Sequence, residues 1–337
     1  MKKILAMLLA VMMLLSVASV AMAEPTGAPA TPDYTDKQTV TITKIYERTN
    51  AGTKSPAEEF KFTIERKDVS DAAEGITAAN MPLPTIGSTS YVEGEAGAET
   101  KSHQITINLP EYSSVGIYTY TIKETAGNTA GVEYYGDDIL LKVTVIEQNG
   151  KIRVAAVHTE KNFNGTAADK TKKDSFTNTY SAGKLSVTKT VAGNLGDQSK
   201  KFDFTVKFTK PANKEVKSTI TAKVAGANVT DFNPVWDEKG EYTYTFKLAH
   251  DETATFENLP YGVTYTVTET AVDGYTTTQT NENGTINSAE VISTFTNTKT
   301  GTIDMGVMLD SMPYVLVLAV VGAAVIALIA KKRRVED

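Results

Sequence analysis

The chain contains no cysteine in 337 residues, which excludes disulfides, thiolate metal sites, cysteine nucleophiles and a lipidated N-terminal cysteine. Its three histidines, His103, His158 and His250, are far apart and never ligand-spaced, so no metal is expected. Basic residues (34) are outnumbered by acidic ones (40), giving a net charge of −6 and no electrostatic footprint for nucleic acid. There is no Gly-x-Ser-x-Gly elbow and no phosphate-binding glycine loop, so the common hydrolase and nucleotide chemistries lack their parts and no cofactor is expected. Threonine is abundant: 49 residues against a single tryptophan. A chain rich in Thr, Val and Tyr favours pleated strands over helices.

Both ends are hydrophobic. Residues 1–23 run from Lys2 and Lys3 through an apolar stretch to Ala21-Met22-Ala23, the order of a secretory signal peptide, so the protein is expected to be exported. Residues 24–37, with Pro25, Pro29 and Pro32, read as an extended leader. Near the other end, residues 313–330 are uncharged and apolar and are followed at once by Lys331, Lys332, Arg333 and Arg334. That pattern predicts a transmembrane helix and a basic cytoplasmic tail over 331–337.

Between these ends, apolar and polar residues alternate, as in Phe60-Lys-Phe62-Thr-Ile64, Ile105-Thr-Ile107, Phe202-Asp-Phe204-Thr-Val206 and Tyr242-Thr-Tyr244-Thr-Phe246. No long helical period competes with them. Asn149-Gly150 separates two such runs and predicts a tight hairpin. The alternation also repeats at the scale of domains. Tyr120-Thr-Ile122-Lys-Glu124-Thr-Ala126 matches Tyr265-Thr-Val267-Thr-Glu269-Thr-Ala271, and Phe176-Thr-Asn178-Thr179 matches Phe295-Thr-Asn297-Thr298. Lys44 to Glu124 and Lys189 to Glu269 are the same 80 positions apart. The expected fold is all-β: two tandem immunoglobulin-like β-sandwich domains, 38–180 and 182–299.

Strand parity then places polar groups on the wrong face. Lys44 shares its face with Val40 and Ile42, Lys189 with Leu185, Val187 and Val191. Glu124 follows Tyr118, Tyr120 and Ile122, Glu269 follows Val263, Tyr265 and Val267, and the asparagines Asn178 and Asn297 follow Phe176 and Phe295 at the same parity. A lone lysine there would ordinarily snorkel from a strand end. Recurrence of one Lys, one Glu and one Asn, in the same order in both repeats, calls for a shared purpose, because burying them separately costs several kcal/mol. One chemistry uses this set. A desolvated, neutral Lys amine attacks the Asn side-chain amide, ammonia leaves, and a protonated Glu polarises the Asn carbonyl and relays protons. Glu124 and Glu269 are thus the expected promoters, and Lys44–Asn178 and Lys189–Asn297 the expected crosslinks.

These residues resemble those of the major pilins of Gram-positive bacteria, which carry Lys–Asn isopeptide bonds inside immunoglobulin-like domains. The likeness covers both units, and the second, with Leu259-Pro260, Glu269 and Gly274-Tyr275, is also similar to collagen-adhesin B-type domains. The resemblance implies a pilus shaft subunit on the cell surface, held first by its membrane helix and then joined by a sortase to other copies of itself or to the wall. The usual Leu-Pro-x-Thr-Gly motif is missing; Lys299-Thr300-Gly301-Thr302 remains within a sorting segment 300–312, making Thr300 the acyl-donor candidate. Acceptor candidates are Lys172 first, then Lys161, Lys170 and Lys173. The alternative is a surface-anchored monomeric adhesin with a host or surface ligand, for which residues 66–104 are the only candidate insertion.

Overall fold

The computed structural model describes residues 36–97, 102–161, 171–302, 317–318 and 320–321. The first sandwich is built from β1 (Thr39–Arg48), β2 (Glu58–Ser70), β3 (Thr85–Ile86), β4 (Thr89–Tyr91), β5 (Ser102–Asn108), β6 (Gly116–Thr125), β7 (Val132–Glu133), β8 (Ile139–Gln148), β9 (Lys151–Lys161) and β10 (Ser175–Tyr180). One sheet has the order β3-β5-β1-β10-β7 and the other β4-β2-β6-β8-β9. The second sandwich contains β11 (Ala182–Ala192), β12 (Phe202–Thr209), β13 (Thr221–Val224), β14 (Ala227–Asn228), β15 (Glu241–Leu248), β16 (Thr253–Pro260), β17 (Thr264–Glu269), β18 (Thr276–Thr280), β19 (Asn283–Thr285) and β20 (Glu290–Thr298). Its sheets run β14-β13-β16-β11-β20-β18 and β15-β12-β17-β19. The alternation read from the sequence becomes burial: Phe60, Phe62, Ile105 and Ile107 are core residues in the first sandwich, Phe202, Phe204 and Val206 in the second. The hairpin at Asn149-Gly150 joins β8 to β9 with both residues at positive φ, 56° and 74°, as a two-residue turn between twisted strands requires.

One topological feature recurs. In each sandwich the first and last long strands are parallel neighbours, β1 with β10 and β11 with β20, whereas the other named strand pairs among the described residues are antiparallel. The register pairs Lys44 with Phe176 and Tyr46 with Asn178; in the second sandwich it pairs Lys189 with Phe295 and Val191 with Asn297. Each asparagine therefore sits one pleat beyond the lysine, on the same inward face.

The two sandwiches meet through polar clasps. Asn258 accepts from Lys54 N–H at 3.0 Å and donates to Lys54 O and Thr219 O; its φ of 63° is one that asparagine tolerates better than most residues. Asn50 donates to Ala182 O and to the Tyr261 hydroxyl, both at 2.7 Å. Residues 66–97 belong to the first sandwich: Met81 and Tyr91 are buried in its core, and Tyr120 Oη donates to Pro82 O. The expected signal peptide and nearly all of the expected membrane segment lie outside the described residues. Val317, Leu318, Val320 and Val321 are helical, and among the described residues no helix is long and apolar enough to cross a membrane.

The core of the second sandwich supports its site directly. Phe204 pairs with Glu269 in register, meets Phe295 edge-on at 5.2 Å and stacks on Phe246 at 5.4 Å. Phe204→Ala is expected to destabilise this sandwich by about 3–5 kcal/mol. Urea unfolding followed by fluorescence of Trp236, which packs against this core, checks it; an unchanged midpoint would contradict the assignment of Phe204 as a keystone.

Candidate functional site

Two buried triads occupy equivalent places between the sheets. In the first, β1 supplies Lys44, β10 supplies Asn178, and β6 of the facing sheet supplies Glu124. Lys44 Nζ lies 2.8 Å from Glu124 Oε2 with both side chains inaccessible to solvent. Asn178 Nδ2 donates to Glu124 Oε1. In the second, Lys189 Nζ lies 2.9 Å from Glu269 Oε2, and Asn297 Nδ2 donates to Glu269 Oε1. Each carboxyl thus touches both the lysine nitrogen and the asparagine amide nitrogen. Aromatic rings close the apolar side: Lys44 Nζ is 4.2 Å from the Phe60 centroid and Lys189 Nζ 4.4 Å from that of Phe202.

Burial controls the electrostatics. Desolvation pushes the Lys44 ammonium down to about 8, against the opposing pull of Glu124. It lowers Lys189 as well. Desolvation raises Glu124, opposed by Lys44 and by the hydrogen bonds from Lys44 and Asn178. In the first site both directions favour a neutral amine beside a neutral carboxyl, the pair that amide attack needs.

One detail departs from the sequence reading. The carboxyls were expected to bond the asparagine carbonyls; they face the amide nitrogens instead, because Nδ2 is a donor and the carboxyl the nearest acceptor. The Asn178 carbonyl is held by another group: Oδ1 accepts from the backbone N–H of Tyr135 at 2.9 Å. Asn297 Oδ1 is buried with no hydrogen-bond partner among the described residues.

The remaining candidates are scattered. Thr300 is exposed just after β20. The following Gly301 is clasped by Asn194, which accepts from Gly301 N–H at 3.0 Å and donates to Gly301 O at 2.7 Å. Lys161 pairs with Asp137 at 2.9 Å, Lys172 with Asp174 at 2.8 Å, and Lys173 reaches Ser175 Oγ at 3.5 Å; Lys170 lies outside the described residues. A further buried acid, Glu58, accepts from Thr129 Oγ1 and Tyr134 Oη at 2.7 Å and faces Lys217 of the second sandwich at 3.4 Å. Its signal, a glutamate on the inward face of Phe60 and Phe62, is present in the sequence. No group of three or more potential metal ligands occurs among the described residues.

Each of the two tandem all-β sandwiches thus encloses one buried Lys–Glu–Asn triad. Residues 40–181 match the family described as Spy0128-like isopeptide containing domain, and residues 183–299 match a domain of unknown function, DUF7601. A pilin of Streptococcus pyogenes serotype M1 is 26% identical over 309 residues, 85% of this chain and 88% of that protein. The major pilin of Streptococcus pyogenes shares the fold, with a TM-score of 0.50 at 24% identity over 79% of this chain and 100% of that one. A shorter stretch of 92 residues is 30% identical to the pilus tip adhesin Cpa of Streptococcus pyogenes, covering 27% of this chain and 12% of the adhesin. Over most of its length the chain is thus similar to streptococcal pilins, and its first sandwich matches the Spy0128-like isopeptide containing domain.

The lowered Lys44 can be measured directly. In an Asn178→Ala variant, which has no electrophile, Lys44 is expected to titrate near 8 rather than 10.5, read by NMR of isotopically labelled lysine. Between these values the unfolded chain binds the proton and the folded chain does not, so this group makes stability rise with pH across about 8 to 10.5. A Lys44 titration at the ordinary value would contradict the desolvated site.

Proposed function

We propose that this chain is the shaft subunit of a Gram-positive surface pilus, and that each sandwich is closed by an autocatalytic Lys–Asn isopeptide bond. The observation that carries the reading is the repeated triad: Lys and Asn on parallel first and last strands, bridged by a carboxyl from the opposite sheet. Lys44 and Lys189 act as nucleophiles, Asn178 and Asn297 as acyl donors. Glu124 and Glu269 shuttle the proton from the attacking amine to the departing ammonia, a single-turnover step driven by proximity rather than an enzymatic cycle. Crosslinks closing residues 44–178 and 189–297 would each contribute about 4–5 kcal/mol on the loop-entropy view.

The outer steps follow from the ends of the chain. Export by the 1–23 signal, retention by the 313–330 helix and transfer of Thr300 by a sortase onto a lysine of the next copy would build an open head-to-tail filament. Lys172 is the preferred acceptor; its side chain is 73% exposed and pairs with the also exposed Asp174. The second reading, a surface-anchored adhesin, is favoured by the similarity to the tip adhesin Cpa. Burial in the first core of Met81, Tyr91 and Ala96, from the 66–97 stretch, supports the shaft reading over it.

Immunoblots of walls from the producing cells, boiled in detergent, separate the two. The shaft reading expects a ladder of covalent multimers that collapses to monomer in Thr300→Ala and shortens in Lys172→Ala. A single wall-linked species in the unaltered strain would support the adhesin, and a ladder unaffected by Thr300→Ala would overturn the donor assignment.

A further inference from the structure

We infer that the backbone N–H of Tyr135 is an oxyanion donor for bond formation in the first sandwich, and that the second sandwich has no counterpart among the described residues. The inference rests on the isopeptide reading and adds a group to it. Tyr135 follows the two-residue strand β7, which pairs with β10 through Glu133–Thr179 and Val132–Tyr180. That short pairing brings the next stretch of chain alongside Asn178, whose Oδ1 accepts from Tyr135 N–H at 2.9 Å. The distance falls in the range of a preorganised oxyanion donor. Burial strengthens the contact, because Asn178 is wholly inaccessible and no solvent dipole competes.

The division of labour is then complete around one carbon. The Lys44 nitrogen bonds to Cγ of Asn178, and the carbonyl electron pair moves onto Oδ1, where Tyr135 N–H stabilises the developing charge. Collapse of this intermediate breaks the Cγ–Nδ2 bond. Glu124, hydrogen-bonded to both nitrogens, gives a proton to Nδ2 and takes one from the former amine. Amine plus primary amide become a secondary amide plus ammonia, with no other reactant.

In the second sandwich the lysine, the glutamate and the asparagine nitrogen are arranged alike, but Asn297 Oδ1 has no partner among the described residues. The two sites therefore form a natural comparison within one molecule: same nucleophile and proton carrier, with a carbonyl donor among the described residues in the first only.

The test makes the full chain by cell-free translation and follows each crosslinked peptide pair by mass spectrometry over time. In Tyr135→Ala the N–H survives while the ring is lost from Phe176, which it meets edge-on at 5.3 Å; the first bond is expected to form within a few-fold of the unaltered rate. Tyr135→Pro removes the N–H and is expected to slow the first bond about 100-fold, leaving the second unchanged. Because proline could unfold the loop, the deciding variant replaces residue 135 with the α-hydroxy analogue of tyrosine, which keeps the phenol and deletes only the N–H. Slowing of the first bond alone in that variant supports the assignment, and formation at the unaltered rate overturns it. Absence of both bonds from the unaltered chain would sink the isopeptide reading itself, an outcome distinct from failure of the donor.

Discussion

Everything distinctive about this protein depends on a lysine amine held out of water beside a carboxyl and an amide. Water would keep Lys44 charged and compete for every hydrogen bond around it; its complete burial makes the neutral, nucleophilic form accessible. The fold delivers that environment by pairing the first and last strands of each sandwich in parallel and facing the pair with a glutamate from the other sheet. A parallel pair demands a long crossover, and here the rest of the sandwich is the crossover. The lysine, glutamate and asparagine of each triad are therefore brought together only when the whole domain has closed.

The same topology explains what a bond at this place would do. The entry of β1 and the exit of β10 lie at opposite ends of a parallel pair, so tension on the chain shears that pair. A covalent link between the two strands would carry the load past the intervening residues. A chain without cysteine has no disulfide for the task, and an amide is indifferent to the redox state of its surroundings. The junction between sandwiches answers the same demand with hydrogen bonds: Asn258 and Asn50 each clasp backbone or hydroxyl groups of the neighbouring domain, and Glu58 faces Lys217 across it.

Much of this was legible before any coordinates. Parity alone put Lys44, Lys189, Glu124, Glu269, Asn178 and Asn297 on inward faces, because a pleated strand sends alternate residues to one side whatever its neighbours are. Asn149-Gly150 announced its own turn, since local backbone preference decides it. Contacts made by the backbone were beyond sequence reading. Nothing in Tyr135 as a residue type says that its N–H meets the Asn178 carbonyl; the register of β7 on β10 decides that. The Asn194 clasp on Gly301 joins groups 107 positions apart and depends on how the chain leaves β20. Glu58 has no counterpart in the second repeat, so the repetition that singles out the triads does not mark it.

The most direct test of the central claim is the intact mass of the purified protein beside its Glu124→Ala and Glu269→Ala variants. The account predicts an unaltered protein lighter than its sequence by two ammonias, with one ammonia restored in each variant. A mass equal to that of the plain sequence would contradict it and leave two ordinary sandwiches with buried ion pairs.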